Sequence, residues 1–152
     1  MRTTTIAAFL LLLAASAFAH VTVAPQQSPV GTSQVYKVRV HNDGKVPTSS
    51  IELQIPAGVT IESVAPLPTG KAEMKKAGDR VTAITWEIEV PVAKYVELAF
   101  TAKNPATGNQ VNWNITEKFK DGTTIEFTDK AGAKEKSSMT KLTAGPATAP
   151  QK

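Results

Sequence analysis

Apolar and polar residues alternate with a period of two along most of the chain. Val21 and Val23 begin a short strand that stops at Pro25. In residues 34–41, QVYKVRVH, one face carries Tyr36, Val38 and Val40, and the other carries Lys37, Arg39 and His41. Side chains of a strand point alternately to its two faces, so this pattern predicts a strand with one buried side. Asn42-Asp43-Gly44 reads as the turn that follows. Ile51, Leu53 and Ile55 alternate with Glu52 and Gln54 until Pro56-Ala57-Gly58 breaks the run, and Val59 and Ile61 begin another strand. Residues 70–74 read as an edge strand, and Gly78-Asp79 as a hairpin turn into residues 81–90, where Ile84, Trp86, Ile88 and Val90 face one way. Val96, Leu98, Phe100 and Ala102 line the next strand, Val111, Trp113, Ile115 and Phe119 another, and Ile125 and Phe127 the last. No sustained 3.6-residue period is present. About eight or nine short strands with regular turn signals predict an all-β chain, an antiparallel β-sandwich of immunoglobulin- or cupredoxin-like kind.

At 152 residues the chain has the length of one domain. Arg2, the apolar run of residues 6–15 and the Ala17-Phe18-Ala19 site read as a signal peptide over residues 1–19. Ten apolar residues are too few to span about 30 Å of hydrocarbon as a helix, and no later segment is a transmembrane candidate. The expectation is an exported protein of the periplasm, cell envelope or exterior. There is no cysteine, which excludes disulfides, thiolate zinc sites and a catalytic thiol, and only two histidines, His20 and His41. Residues 20–129 carry 11 Lys/Arg against 12 Asp/Glu, whereas residues 130–152 carry five Lys and one Glu. The basic balance thus belongs to the end of the chain, and the folded part lacks the positive face of a nucleic-acid binder. Residues 130–152, rich in Lys, Ala, Thr and Pro, read as a disordered tail.

Cleavage after Ala19 makes His20 the first residue of the mature chain. An N-terminal histidine offers two nitrogens, the α-amine and imidazole Nδ1, which close a six-membered chelate ring on one metal. The amine has a reference pKa of about 7.7–8.0, so a metal displaces its proton near neutrality. Nitrogen and oxygen donors in a tetragonal arrangement favour Cu(II). The competing reading is that His20 merely follows a small-residue cleavage site.

Several segments then point the same way. HVTVAP follows the cleavage site, and YKVRVHND, IELQIPAGV, AITWEIEV, FTAKNP and WNITEKFKDGTTIEF come after it in order. In the order and spacing of these pieces, residues 20–129 resemble the YcnI-type copper-binding domain family. The resemblance implies an exported β-sandwich that binds Cu(II) through a mono-histidine brace, with a carboxylate ligand and a nearby tryptophan. Carried over by position, His20 is the brace histidine and Asp43 stands at the ligand glutamate. Asp43 keeps the oxygen donors on a side chain one C–C bond, about 1.5 Å, shorter. Phe127 stands where the family has its tryptophan and lacks the indole N–H. The family's tryptophan after the Pro-Gly loop is absent, with Gly70-Lys71 in its place.

Other candidates are weaker. His41 shares its face with Lys37 and Arg39, two cations that disfavour a metal, and reads as an exposed strand-end residue. If it joined His20, the site would be the two-histidine brace of a copper oxidase. Glu117 falls in phase with Trp113, Ile115 and Phe119. It is either turned outward by a bulge, or buried with a hydrogen-bond partner, as a structural group or as a group beside the metal. Trp86, Trp113, Tyr36 and Phe100 read as core. Met74 and Met139 are too sparse for a Cu(I) site. No Ser–His pair or Gly-x-Ser-x-Gly motif is present. The expected function is Cu(II) binding for delivery, sequestration or homeostasis in the envelope, with copper as partner, another copper-handling protein as a candidate partner, and no catalysis. The alternatives are the oxidase and a metal-free adhesion-type sandwich.

Overall fold

The computed structural model describes residues 20–146, all of them in strands, turns and loops. In chain order the strands are β1 (Val21–Ala24), β2 (Gln27–Pro29), β3 (Ser33–His41), β4 (Thr48–Gln54), β5 (Thr60–Val64), β6 (Lys71–Ala77) and β7 (Arg80–Val90). They continue with β8 (Tyr95–Lys103), β9 (Gln110–Trp113), β10 (Ile115–Phe119), β11 (Thr124–Thr128), β12 (Glu135–Lys136) and β13 (Ser138–Thr143). A four-stranded sheet runs β1-β3-β8-β5, a six-stranded sheet β12-β11-β10-β4-β7-β6, and a small third sheet β2-β13-β9. Among the described residues no helix is long and apolar enough to cross a membrane.

The two large sheets supply the core from their inward faces. Tyr36, Val38, Val40, Leu98 and Phe100 come from the first, and Ile51, Leu53, Ile84, Trp86, Ile115 and Phe127 from the second. Each such side chain removed from water stabilises the fold by about 1.5–3 kcal/mol. Tyr36 packs between Phe100 and Trp113, with ring centroids 5.5 and 4.8 Å away. Its hydroxyl donates to Asn104 Oδ1 at 2.7 Å, and Asn104 Nδ2 in turn donates to Ser28 Oγ and the Pro29 carbonyl. β6 is the outer strand predicted at residues 70–74, exposed along its whole length.

Two expectations need correction. Among the described residues, thirteen strands replace the expected eight or nine. The apolar run 111–119 is shared between two sheets, breaking at Asn114 into β9 and β10, and β2 and β12 are too short to show a period. The reading of residues 130–152 as a disordered tail also fails over its described part. Residues 138–143 form β13, antiparallel to β9 and parallel to β2. Their apolar content is low, but Thr140 and Leu142 alternate inward and are buried. Thr140 Oγ1 accepts from Trp113 Nε1 at 2.9 Å and donates to the Pro25 carbonyl at 2.8 Å. The strand is held by backbone pairing and by satisfying a buried indole, forces that a hydropathy pattern does not register.

Candidate metal centre

Strand register brings the two histidines together. Val21 of β1 pairs with Val40 of β3, so the next pair outward is His20 opposite His41. The His41 amide donates to the His20 carbonyl at 2.9 Å. Val21 and Val40 are buried, and alternation therefore turns both imidazoles to the outer side, at one end of the four-stranded sheet. His20 is thus anchored to β3 through its own backbone.

The turn after β3 is built on Asn42, which is fully buried. Its Nδ2 donates to the Val46 and Val90 carbonyls at 3.0 and 2.9 Å, and its Oδ1 accepts from the Gly44 amide at 2.8 Å. Its backbone exchanges two further bonds with residues 93 and 94. With Asn42 held on both sides, Asp43 emerges beside the imidazoles. Its Oδ2 contacts His20 Nδ1, and its Oδ1 lies 2.7 Å from His41 Nδ1. All three side chains are about two-fifths exposed, open enough for an ion to enter. The arrangement is a chain, imidazole–carboxylate–imidazole, and no trio of His, Asp and Glu among the described residues closes into a cage.

Beneath this surface lies Glu117. It stays in phase and is 2% exposed, and the register shift on β10 falls beyond it, between Lys118 and Phe119. Of the three roles open to it, the outward-turned one is excluded. Thr48 Oγ1 donates to its Oε1 at 2.5 Å. Burial pushes its carboxyl above the usual range. The Thr48 bond and the His20 charge oppose that shift, and the Asp43 charge adds to it. Glu117 is therefore in electrostatic reach of both His20 and Asp43.

Phe127 is buried in the core, opposite Ile115 on β11 and β10. It lies diagonal to Glu117 on the same inward face, because Glu117 pairs with Ile125. His41 is outward with Lys37 and Arg39, as its phase predicts, and half-buried at the strand end. The Arg39 guanidinium stacks over the Tyr95 ring, 4.2 Å from its centroid, while His41 reaches Asp43. Asn42 and Thr48 were not anticipated. Their small polar side chains act through carbonyls and a carboxylate that only the folded register brings near.

The raised Glu117 carboxyl predicts a pH effect. The native state keeps this proton at pH values where the unfolded chain has released it. Stability therefore falls as pH rises from the ordinary carboxylate range through the raised native value. Glu117→Gln keeps an acceptor for Thr48 and removes the ionisation. Denaturant titrations from pH 4 to 8 are expected to show the variant gaining on the wild type as pH rises. Two parallel profiles would refute the assignment.

The family model described as "Domain of unknown function (DUF1775)" matches residues 20–148. The copper-binding protein CutI of Bacillus subtilis (strain 168) is 30% identical over 137 residues, covering 88% of this chain and 67% of CutI. Among solved structures, a protein from Nocardia farcinica with an immunoglobulin-like fold superposes with a TM-score of 0.68 at 16% identity, over 82% of this chain and 98% of that one. A non-cellulosomal cohesin from Archaeoglobus fulgidus reaches a TM-score of 0.50 at 11% identity, over 82% of this chain and 90% of that one. These likenesses show the immunoglobulin-like sandwich and nothing of its chemistry. With the family model matched over most of its length and CutI aligned across most of both proteins, the chain belongs to the DUF1775 family, the YcnI-like group that its ordered segments resemble.

Proposed function

We propose that the protein is exported, is cleaved after Ala19, and binds one Cu(II) through the α-amine and Nδ1 of His20 and an oxygen of Asp43. The observation that carries this reading is the Asp43 carboxylate set directly against His20 Nδ1. A carboxylate and an imidazole brought together on a half-exposed surface are a donor pair that gains from a cation. The His20 carbonyl is held by β3 and its Nδ1 lies against Asp43, so the residue is anchored before any ion arrives. That preorganisation lowers the entropic cost of binding. Residues 17–19, where cleavage would occur, lie outside the described residues. CutI, a copper-binding protein, adds support by kinship. The role is copper delivery or sequestration in the envelope, with transfer to or from another copper-handling protein. No catalytic step is assigned.

The test is a copper titration of the form that begins at His20. The expected result is one tightly held Cu(II) per chain, with Asp43→Ala weakening binding by about tenfold or more, some 1.4 kcal/mol. A processed protein that takes up no copper would end the reading in favour of a metal-free adhesion-type sandwich. The place of His41 opposite His20 favours one second reading, a two-histidine copper oxidase. Hyperfine coupling from two imidazoles together with peroxide-dependent turnover would mark it.

A further inference from the structure

His41 is the residue that the copper-binding reading leaves without a task. Its Nδ1 lies 2.7 Å from Asp43 Oδ1, while the other oxygen of the same carboxylate is at His20 Nδ1. One carboxylate oxygen is thus held by His41 and the other is presented to His20. The His41 backbone is also bound to His20 through the 2.9 Å amide–carbonyl bond. On its other flank His41 pairs with Tyr95 of β8. The imidazole is therefore set between paired strands, whereas Asp43 sits on a turn.

A short carboxylate on a turn has two rotatable bonds and a choice of orientations. A ring N–H from a paired strand removes that choice and directs the free oxygen. Groups that hold a ligand carboxylate in this way typically change metal affinity by about 10- to 100-fold when removed.

Resting on the copper-binding reading above, we infer that His41 is a positioning residue for Asp43, donating from Nδ1 to Oδ1 so that Oδ2 is aimed at the ion held by His20. His41 is not itself a ligand in this arrangement, in keeping with the chain-like order imidazole–carboxylate–imidazole.

The experiment uses the full processed chain beginning at His20, with Cu(II) as the probe. Variants are His41→Ala, His41→Asn, Asp43→Ala and the double His41→Ala/Asp43→Ala. Competition titration is expected to show His41→Ala binding Cu(II) about 10- to 100-fold more weakly. His41→Asn, whose amide N–H takes the place of Nδ1–H, is expected to recover most of that loss. The double variant should bind no more weakly than Asp43→Ala alone, because both changes remove one interaction. The copper spectrum should show one imidazole in the wild type and the same nitrogen pattern in His41→Ala. Two imidazoles in the wild type, one of them lost in His41→Ala, would overturn the inference by making His41 a ligand. Wild-type affinity in His41→Ala would overturn it as well.

A copper-free measurement separates failure of this inference from failure of the copper reading. In nitrogen-15 spectra of the apo protein, His41 should carry its proton on Nδ1, and Asp43→Ala should shift that nitrogen. A proton on Nε2, or no response to Asp43→Ala, refutes the His41–Asp43 bond whether or not copper binds.

Discussion

A chain that begins at His20 but carries an acetylated α-amine is expected to lose copper affinity by about three orders of magnitude or more, some 4 kcal/mol. Acetylation converts the α-amine into an amide and, unlike a retained residue, adds no new terminal amine from which a fresh chelate could form. The chelate then reduces to a single imidazole nitrogen. Everything else is kept: the His20 carbonyl still accepts from the His41 amide, and Asp43 still lies at Nδ1. Thermal unfolding of the two copper-free forms should therefore coincide while their copper titrations diverge. Equal affinity in the acetylated and free forms would show that the amine takes no part.

Truncation after Asp129 is expected to cost at least about 3 kcal/mol and to lower the unfolding midpoint by about 10 °C or more. The cut removes Leu142, whose burial stabilises the fold by about 1.5–3 kcal/mol. It also leaves the fully buried Trp113 indole N–H without Thr140, a penalty of about 1–3 kcal/mol. The edges of β2 and β9 lose their shared partner as well. Against a total stability of about 5–15 kcal/mol for a domain, these losses threaten the fold itself. Calorimetry or circular dichroism on the truncated chain would decide the matter. An unchanged midpoint would return residues 130–146 to the status of a solvated extension.

The sandwich was legible because most of its strands bury one face and expose the other, which imprints a period of two. Tyr36, Val38 and Val40 of β3 are buried and their neighbours Lys37 and Arg39 exposed, as the alternation predicts. Where a strand has no such contrast the signal fades. β13 has four polar residues of six and is defined by pairing and by the hydroxyls of Ser138 and Thr140. The split at Asn114 was hidden because β9 and β10 keep one continuous alternation while changing sheets. At the site, His20 stood out through its place after the cleavage motif, and Asp43 through the family resemblance. The contact from His20 to Asp43 depends on a strand register that brings residues 20 and 41 opposite each other, and sequence spacing does not encode that pairing. Glu117 was conspicuous as a carboxylate in an apolar phase, but its burial rests on Thr48, 69 residues away.

β1, which carries His20 at its head, is tied to the far end of the chain: the Val23 amide donates to Ser138 Oγ across 115 residues. Closing so large a loop gives no reward until almost the whole polypeptide is available, and topologies dominated by such distant pairings fold slowly. β1 can pair with β3 as soon as both have been made, whereas its tie to Ser138 waits for β13. The head of this strand is thus set by a near neighbour, and its outer edge is covered only when the last strand arrives.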